Sequence, residues 1–187
     1  MLARFNSNLE TINAYSYGTV DYDYGCSISI ADGNQLIVVD GLNKAFDLHG
    51  VTVPIADNRS TLVVMKFNST LSSSSFKEFS GNADTYLNPT EVVVDNNYNI
   101  YMTGQFSGKV YFGDEPKYGT GDFQTFLVKL NSSLETQWDL TSSGSSGGST
   151  GEQLALDENQ NLYLIARIEG MVDWLGDSYN FGTDGNI

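Results

Sequence analysis

Two stretches of the chain carry oxygen donors at a spacing that metal chemistry uses: Asp95-x-Asn97-x-Asn99 and Asp157-x-Asn159-x-Asn161. They match the first half of a calcium loop, in which alternate side chains offer oxygens to a hard cation. The bidentate Glu and the Gly that such a loop needs further along are missing. Asp and Asn also lock tight turns by accepting hydrogen bonds from backbone N–H groups nearby. The turn is the expected role. Asp95, Asn97, Asn99, Asp157, Asn159 and Asn161 stand as calcium candidates in second place, and no cofactor is expected.

A second group is aromatic. Tyr15, Tyr17, Tyr22 and Tyr24 are interleaved with Gly18, Asp21 and Asp23, in a stretch read as a loop. Aromatic faces beside carboxylates suit a sugar, so these four tyrosines are candidate ligand-binding residues. Gly144-Ser-Ser-Gly-Gly148 satisfies the letter of a nucleophile elbow. That motif works on a strained turn between strand and helix. Here it sits in a Ser/Gly/Thr run, Thr141–Gly151, read as a loop with no helix after it. The single histidine, His49, lies far away in the chain. A serine hydrolase is not expected, and no catalytic residue is assigned. Asn58-Arg-Ser60, Asn68-Ser-Thr70 and Asn131-Ser-Ser133 have the glycosylation pattern, but Asn68 and Asn131 recur at one repeat position, where a tight turn explains them.

That recurrence organises the chain. Leu2-Ala-Arg-Phe-Asn-Ser-Asn-Leu9, Val64-Met-Lys-Phe-Asn-Ser-Thr-Leu71 and Leu127-Val-Lys-Leu-Asn-Ser-Ser-Leu134 share one opening, with Phe5, Phe67 and Leu130 spaced 62 and 63 residues apart. A second register agrees: Leu36, Ile100 and Leu162 each start an apolar run, and Phe46, Val110 and Val172 follow each by ten residues. Internal periods of this length mark repeat architectures. The units are 1–62, 63–125 and 126–187. Each reads as short strands closed by turns, such as Glu91-Val-Val-Val94, Asp95–Asn99 and Ile100-Tyr-Met-Thr103. No segment sustains an i, i+3, i+4 apolar pattern, so essentially no helix is expected. The fold class is all-β, with three four-stranded antiparallel units of about 62 residues, the content of propeller blades. A parallel β-helix is the competing architecture. Trp174 shares its repeat position with Phe112 and Leu48, which marks it as a packing residue.

Glu91-Val-Val-Val-Asp95, Asn99-Ile-Tyr-Met-Thr-Gly-Gln-Phe-Ser-Gly108, Val110-Tyr-Phe-Gly113 and Thr125-Phe-Leu-Val-Lys-Leu-Asn131 carry a resemblance, joined by Tyr22-Asp-Tyr-Gly25 and Ile28-Ser-Ile30. They resemble the bacterial secreted β-propeller repeat, the SBBP type. The likeness runs through nearly the whole chain and is clearest over residues 91–175. The first unit departs from it, with Ala31 where the others have Asp95 and Asp157. The resemblance implies a secreted or cell-surface propeller.

A propeller closes with ~4–8 blades, so three units imply that the remaining blades come from further chain or from a homo-oligomer. The sequence Gly182-Thr-Asp-Gly repeats Gly119-Thr-Gly-Asp122 and favours further chain. No signal peptide pattern follows Met1, so an export signal is expected on sequence outside this chain. Cys26 is the only cysteine, which excludes an internal disulfide. With 9 Lys+Arg against 23 Asp+Glu, the net charge of −14 leaves no basic face for nucleic acid. No apolar run is long enough to span a membrane. The carboxylates are spread over all three units and form no acid/base pair at a readable spacing. The expected function is therefore a non-catalytic extracellular module that binds glycan or protein on a loop face, or scaffolds. A propeller enzyme acting on polysaccharide and a purely structural element of a surface appendage are the alternatives.

Overall fold

The computed structural model describes residues 1–19, 23–55 and 60–180, apart from the side chains of residues 24–26, 32, 73, 74, 120, 121, 145 and 146. The chain is all-β, and among the described residues the one helical piece is a 3-10 turn at Asp32–Asn34. β1 (Leu2–Phe5) and β2 (Thr11–Tyr15) form a hairpin. β3 (Tyr24–Ala31), β4 (Gln35–Leu42), β7 (Thr61–Phe67) and β8 (Ser73–Phe79) form a four-stranded sheet in that order, here sheet 1. A small hairpin, β5 (Phe46–Leu48) with β6 (Val51–Val53), connects β4 to β7. β9 (Tyr86–Val94), β10 (Ile100–Tyr111), β11 (Pro116–Leu130) and β12 (Thr136–Thr141) form sheet 2. β13 (Ser143–Leu156), β14 (Leu162–Trp174) and β15 (Asp177–Asn180) form the three-stranded sheet 3. Every pairing is antiparallel between neighbours, and none of the sheets closes on itself.

The sheets stack face to face in chain order. One face of sheet 1 (Val38, Val63, Met65, Phe67) packs with Leu2, Tyr15 and Tyr17 of the N-terminal segment. Its other face (Ile37, Val39, Leu62, Val64) packs against Val92, Ile100, Met102 and Val128 of sheet 2. The far face of sheet 2 (Tyr101, Leu127, Trp138) meets Leu154, Leu164 and Trp174 of sheet 3. This explains why Leu36-Ile-Val-Val39 and Leu62-Val-Val-Met65 read as continuous apolar runs: strands covered on both faces have no polar side to alternate with. β14 does alternate, because one face has no neighbour among the described residues, leaving Tyr163 56% and Ile165 62% exposed.

Two expectations change, the strand count of the units and the Thr141–Gly151 loop. The described strands form two four-stranded sheets, and the third sheet and the first hairpin hold three and two strands. Each four-stranded sheet also draws on two sequence units, since Val63 lies inside β7 and Phe126 inside β11; a repeat period sets spacing but not the point at which a sheet begins. The Thr141–Gly151 run is not a loop, since most of it is strand β13. Its glycines let the backbone pass where a side chain would collide: a Cβ on Gly151 would lie 2.0 Å from Thr103 Oγ1, and one on Gly144 2.4 Å from the Met171 carbonyl. A backbone pressed this closely needs residues that composition alone assigns to loops.

Candidate functional site

The hairpin turns come first, because they hold the calcium candidates. In Asp95–Asn99, Asp95 Oδ1 accepts from the backbone N–H of Asn97 (2.8 Å) and Asn99 (2.9 Å). Its Oδ2 accepts from Asn99 Nδ2 (2.7 Å) and Tyr101 Oη (3.0 Å). Asp157 repeats the arrangement, accepting from Asn159 N–H (2.9 Å), Asn161 N–H (2.8 Å), Asn161 Nδ2 (2.7 Å) and Tyr163 Oη (3.2 Å). The same geometry recurs with Asn6, Asn68 and Asn131 as the accepting residue. In all five turns the fourth residue is left-handed and never glycine: Leu9 (φ 63°), Leu71 (58°), Tyr98 (62°), Leu134 (65°) and Gln160 (66°). Where Ala31 replaces the aspartate, the chain uses the 3-10 turn, with both Gly33 (φ 65°) and Asn34 (φ 60°) left-handed.

The carboxylates are thus occupied by the turn. Burial alone would push Asp95 up, but hydrogen bonds from Asn99, Asn97 and Tyr101 hold it below the usual carboxylate range. The side chain of Asn161, with its backbone N–H, does the same for Asp157. No group of three or more His, Cys, Asp or Glu side chains suited to a metal exists among the described residues. Asp95→Ala is expected to cost about 2–3 kcal/mol, because it strips the partners from a buried tyrosine hydroxyl and two turn N–H groups. Asp157→Ala, on a solvated turn, is expected to cost clearly less. Urea unfolding of both variants measures the difference, and equal losses would show that burial of the Asp95 turn contributes nothing.

The tyrosine group divides. Tyr22 lies outside the described residues, and the side chain of Tyr24 is not described. Tyr15 ends β2 and Tyr17 follows it, both half-buried rather than raised on a loop. The Tyr15 ring stacks on His49 at 3.8 Å and 13°, and its hydroxyl accepts from the His49 N–H at 2.9 Å. His49 Nε2 in turn donates to the Leu71 carbonyl at 2.8 Å, which fixes the proton on that nitrogen. Tyr17 lies against Phe46 (5.9 Å) and Phe67 (6.0 Å). These rings spend their faces on the core of sheet 1, so they do not form an open sugar platform. Beneath them Asp40 is 3% exposed, with one carboxyl oxygen unpartnered. Burial, reinforced by the charge of Asp23, pushes its pKa up to about 7 against a hydrogen bond from Tyr17.

One open concave surface lies at one end of the junction between sheets 2 and 3. β11 pairs with β10 up to Phe106↔Gln124, then resumes at Gly108↔Gly119, so residues 120–123 bulge from the ladder. Bulges re-aim side chains at functional edges. Asp122 and Phe123 line a cleft of about 290 Å³ with Ser149, Thr150, Arg167 and Glu169. Phe123 is 39% exposed and is braced by Tyr86 at 4.9 Å. The cleft floor rests on a buried polar network. Thr125 N–H donates to Ser142 Oγ (2.9 Å) and Ser149 Oγ (3.0 Å), and Ser142 Oγ donates to Gln124 Oε1 (2.9 Å). Gly148 lets β13 approach, since a Cβ there would sit 3.1 Å from the Phe123 carbonyl and from Asp122 Cβ. Sequence reading missed this site. Phe123 was assigned no role, and Ser149 lay in a run read as loop; the Gly119-Thr-Gly121 stretch was the available signal for a bulge.

Ser146 of the G-x-S-x-G run belongs to β13, opposite Met171, with no helix after it. No known family model matches the chain, and none of the curated proteins does.

Proposed function

We propose that this chain is a non-catalytic β-propeller module that works outside the cell, and that its ligand contact is the Phe123 cleft. The propeller reading draws on four-stranded meanders that stack face to face at a 62–63-residue period, and on the resemblance to secreted bacterial propeller repeats. The binding reading is carried by one observation: an exposed aromatic on a bulge, flanked by Asp122, Arg167 and Glu169 over a cleft of about 290 Å³. An aromatic face takes the apolar side of a sugar ring, and alternating charges take its hydroxyls, which favours a neutral glycan over a charged polymer. Phe123→Ala is expected to abolish capture on a neutral-glycan array, roughly 10-fold or more in affinity, without moving the unfolding midpoint by more than a degree or two. Unchanged capture, or capture of nothing by the parent chain, would remove the glycan reading. Release of shortened sugar would replace it with the polysaccharide-enzyme alternative.

A further inference from the structure

The repeat provides an internal standard for what each residue should touch. Phe5 and Leu9 of the β1–β2 hairpin are 53% and 83% exposed, whereas their equivalents Phe67, Leu71, Leu130 and Leu134 are 0%, 2%, 0% and 5% exposed. The equivalents are covered because β7 pairs with β4 and β11 with β10. Among the described residues, β1 pairs with β2 alone. β14 is the counterpart of β4 and β10, and over Leu162–Ala166 it has no partner among the described residues on the side away from β13. Beside that edge is a largely apolar cavity of about 260 Å³, lined by Leu164, Ala166, Ile168, Val172 and Trp174. In sheet 2 the equivalent residues are Met102, Gly104, Phe106, Val110 and Phe112, and the place is filled by Phe126, with its ring 4.9 Å from that of Phe112.

We infer that β1–β2 of a second copy of this chain adds to the β14 edge, completing sheet 3 in the way β11–β12 completes sheet 2. The register follows from Ile100↔Leu130, Tyr101↔Lys129, Met102↔Val128 and Gly104↔Phe126. It places Phe5 opposite Leu162, Arg4 opposite Tyr163, Ala3 opposite Leu164 and Met1 opposite Ala166. Met1, Ala3 and Phe5 then face sheet 2 of the acceptor, where their equivalents Phe126, Val128 and Leu130 face sheet 1. Met1 enters the apolar cavity. Charge agrees with shape. Lys129 Nζ lies 5.2 Å over the Tyr101 ring, whose hydroxyl donates to Asp95. Tyr163 donates likewise to Asp157, with no cation over its ring among the described residues. Arg4, which donates through one guanidinium nitrogen to the Ser69 carbonyl of its own chain at 2.9 Å, is the cation this register brings opposite it.

Among the described residues, the 1–187 segment of each chain offers two four-stranded sheets, one acceptor sheet and one donor hairpin. Two copies exchanging hairpins about a two-fold axis therefore give a closed stack of six sheets, and this count, unlike the pairing, rests on the propeller reading. Opposed residues of an antiparallel pair lie ~4.5–5.5 Å apart at Cα, within disulfide range. Two full-length chains lacking Cys26 (Cys26→Ser), one with Ala3→Cys and one with Leu164→Cys, are mixed and oxidised. A cross-linked pair is expected, and none when Ala3→Cys is mixed with Tyr163→Cys, one residue out of register. Light scattering is expected to give the mass of two chains. Phe5→Lys changes a side chain already exposed in the single chain, so it is expected to keep the circular dichroism spectrum and weaken dimerisation at least about 100-fold. A single-chain mass with no cross-link in either register overturns the inference. A specific cross-link within a particle of more than two chains keeps the strand exchange and removes the six-sheet ring.

Discussion

Asp40→Asn is expected to make the protein more stable at pH 8 and to change little at pH 4. Asp40 lies in the middle strand pair of sheet 1, opposite Gly25 on β3 and Val63 on β7, and is 3% exposed. Removing a carboxylate from water without a cationic partner disfavours the charged form, and its pKa rises from the ordinary 3.8 to about 7. The folded state therefore holds its proton more tightly than the unfolded chain does. The stability this contributes is complete below pH 3.8, declines as pH rises, and is lost once the folded state also ionises near pH 7. The shift corresponds to about 4 kcal/mol across that window as an upper figure. Asp95 and Asp157 act in the opposite sense, since their carboxylates are held below the usual range. Their contribution is present above the ordinary carboxylate range and is lost as the solution is acidified. Parent chain and Asp40→Asn should thus diverge as denaturation midpoints are followed from pH 4 to pH 8. Parallel curves would show that Asp40 ionises freely.

Gly104→Ala is expected to destabilise the fold by about 3 kcal/mol or more. An ideal Cβ on Gly104 would lie 2.1 Å from the Asn88 carbonyl oxygen, 2.7 Å from Pro89 Cα and 2.9 Å from the Phe126 ring. Two of these are backbone atoms of β9, at the point where the β9–β10 register shifts between Thr103 and Gly104, so no rotamer change relieves the collision. Gly33→Ala is the comparison. It meets nothing within 4 Å, and the cost comes only from a φ of 65°, about 1 kcal/mol. Urea unfolding separates the two, and similar losses would mean that sheet 2 opens to accept a methyl group.

These two positions also show where sequence reading stops. Asp40, Gly104 and Ala166 occupy the same place in the repeat. The period identifies them as equivalent and cannot say that one is a buried acid, one a backbone crossing and one a position beside a bare edge. Those differences come from neighbours on adjacent sheets, which no local pattern encodes. What was legible was local: strand content, turn positions and the near-absence of helix follow from alternation, apolar runs and Asx residues. The Asp95 and Asp157 turns were readable because every partner lies within six residues. The Phe123 cleft was not, because it joins Asp122 on one sheet to Arg167 on another, through a register jump that depends on pairing between β10 and β11. The Ser143–Gly151 part of β13 was hidden for a related reason, since a backbone that fits only by lacking side chains leaves no hydrophobic signature.

The five Asx turns have a kinetic consequence. Each joins strands that are neighbours in both sequence and sheet, and each is held by a side chain within the turn itself. Hairpins of this kind close in ~1–10 μs, long before distant segments need to meet. Because strand order follows chain order in both four-stranded sheets, each strand finds its sheet partner close to it in the chain. The slow step is then the docking of preformed sheets onto one another. Folding would start anywhere along the chain and spread outward, as in a solenoid.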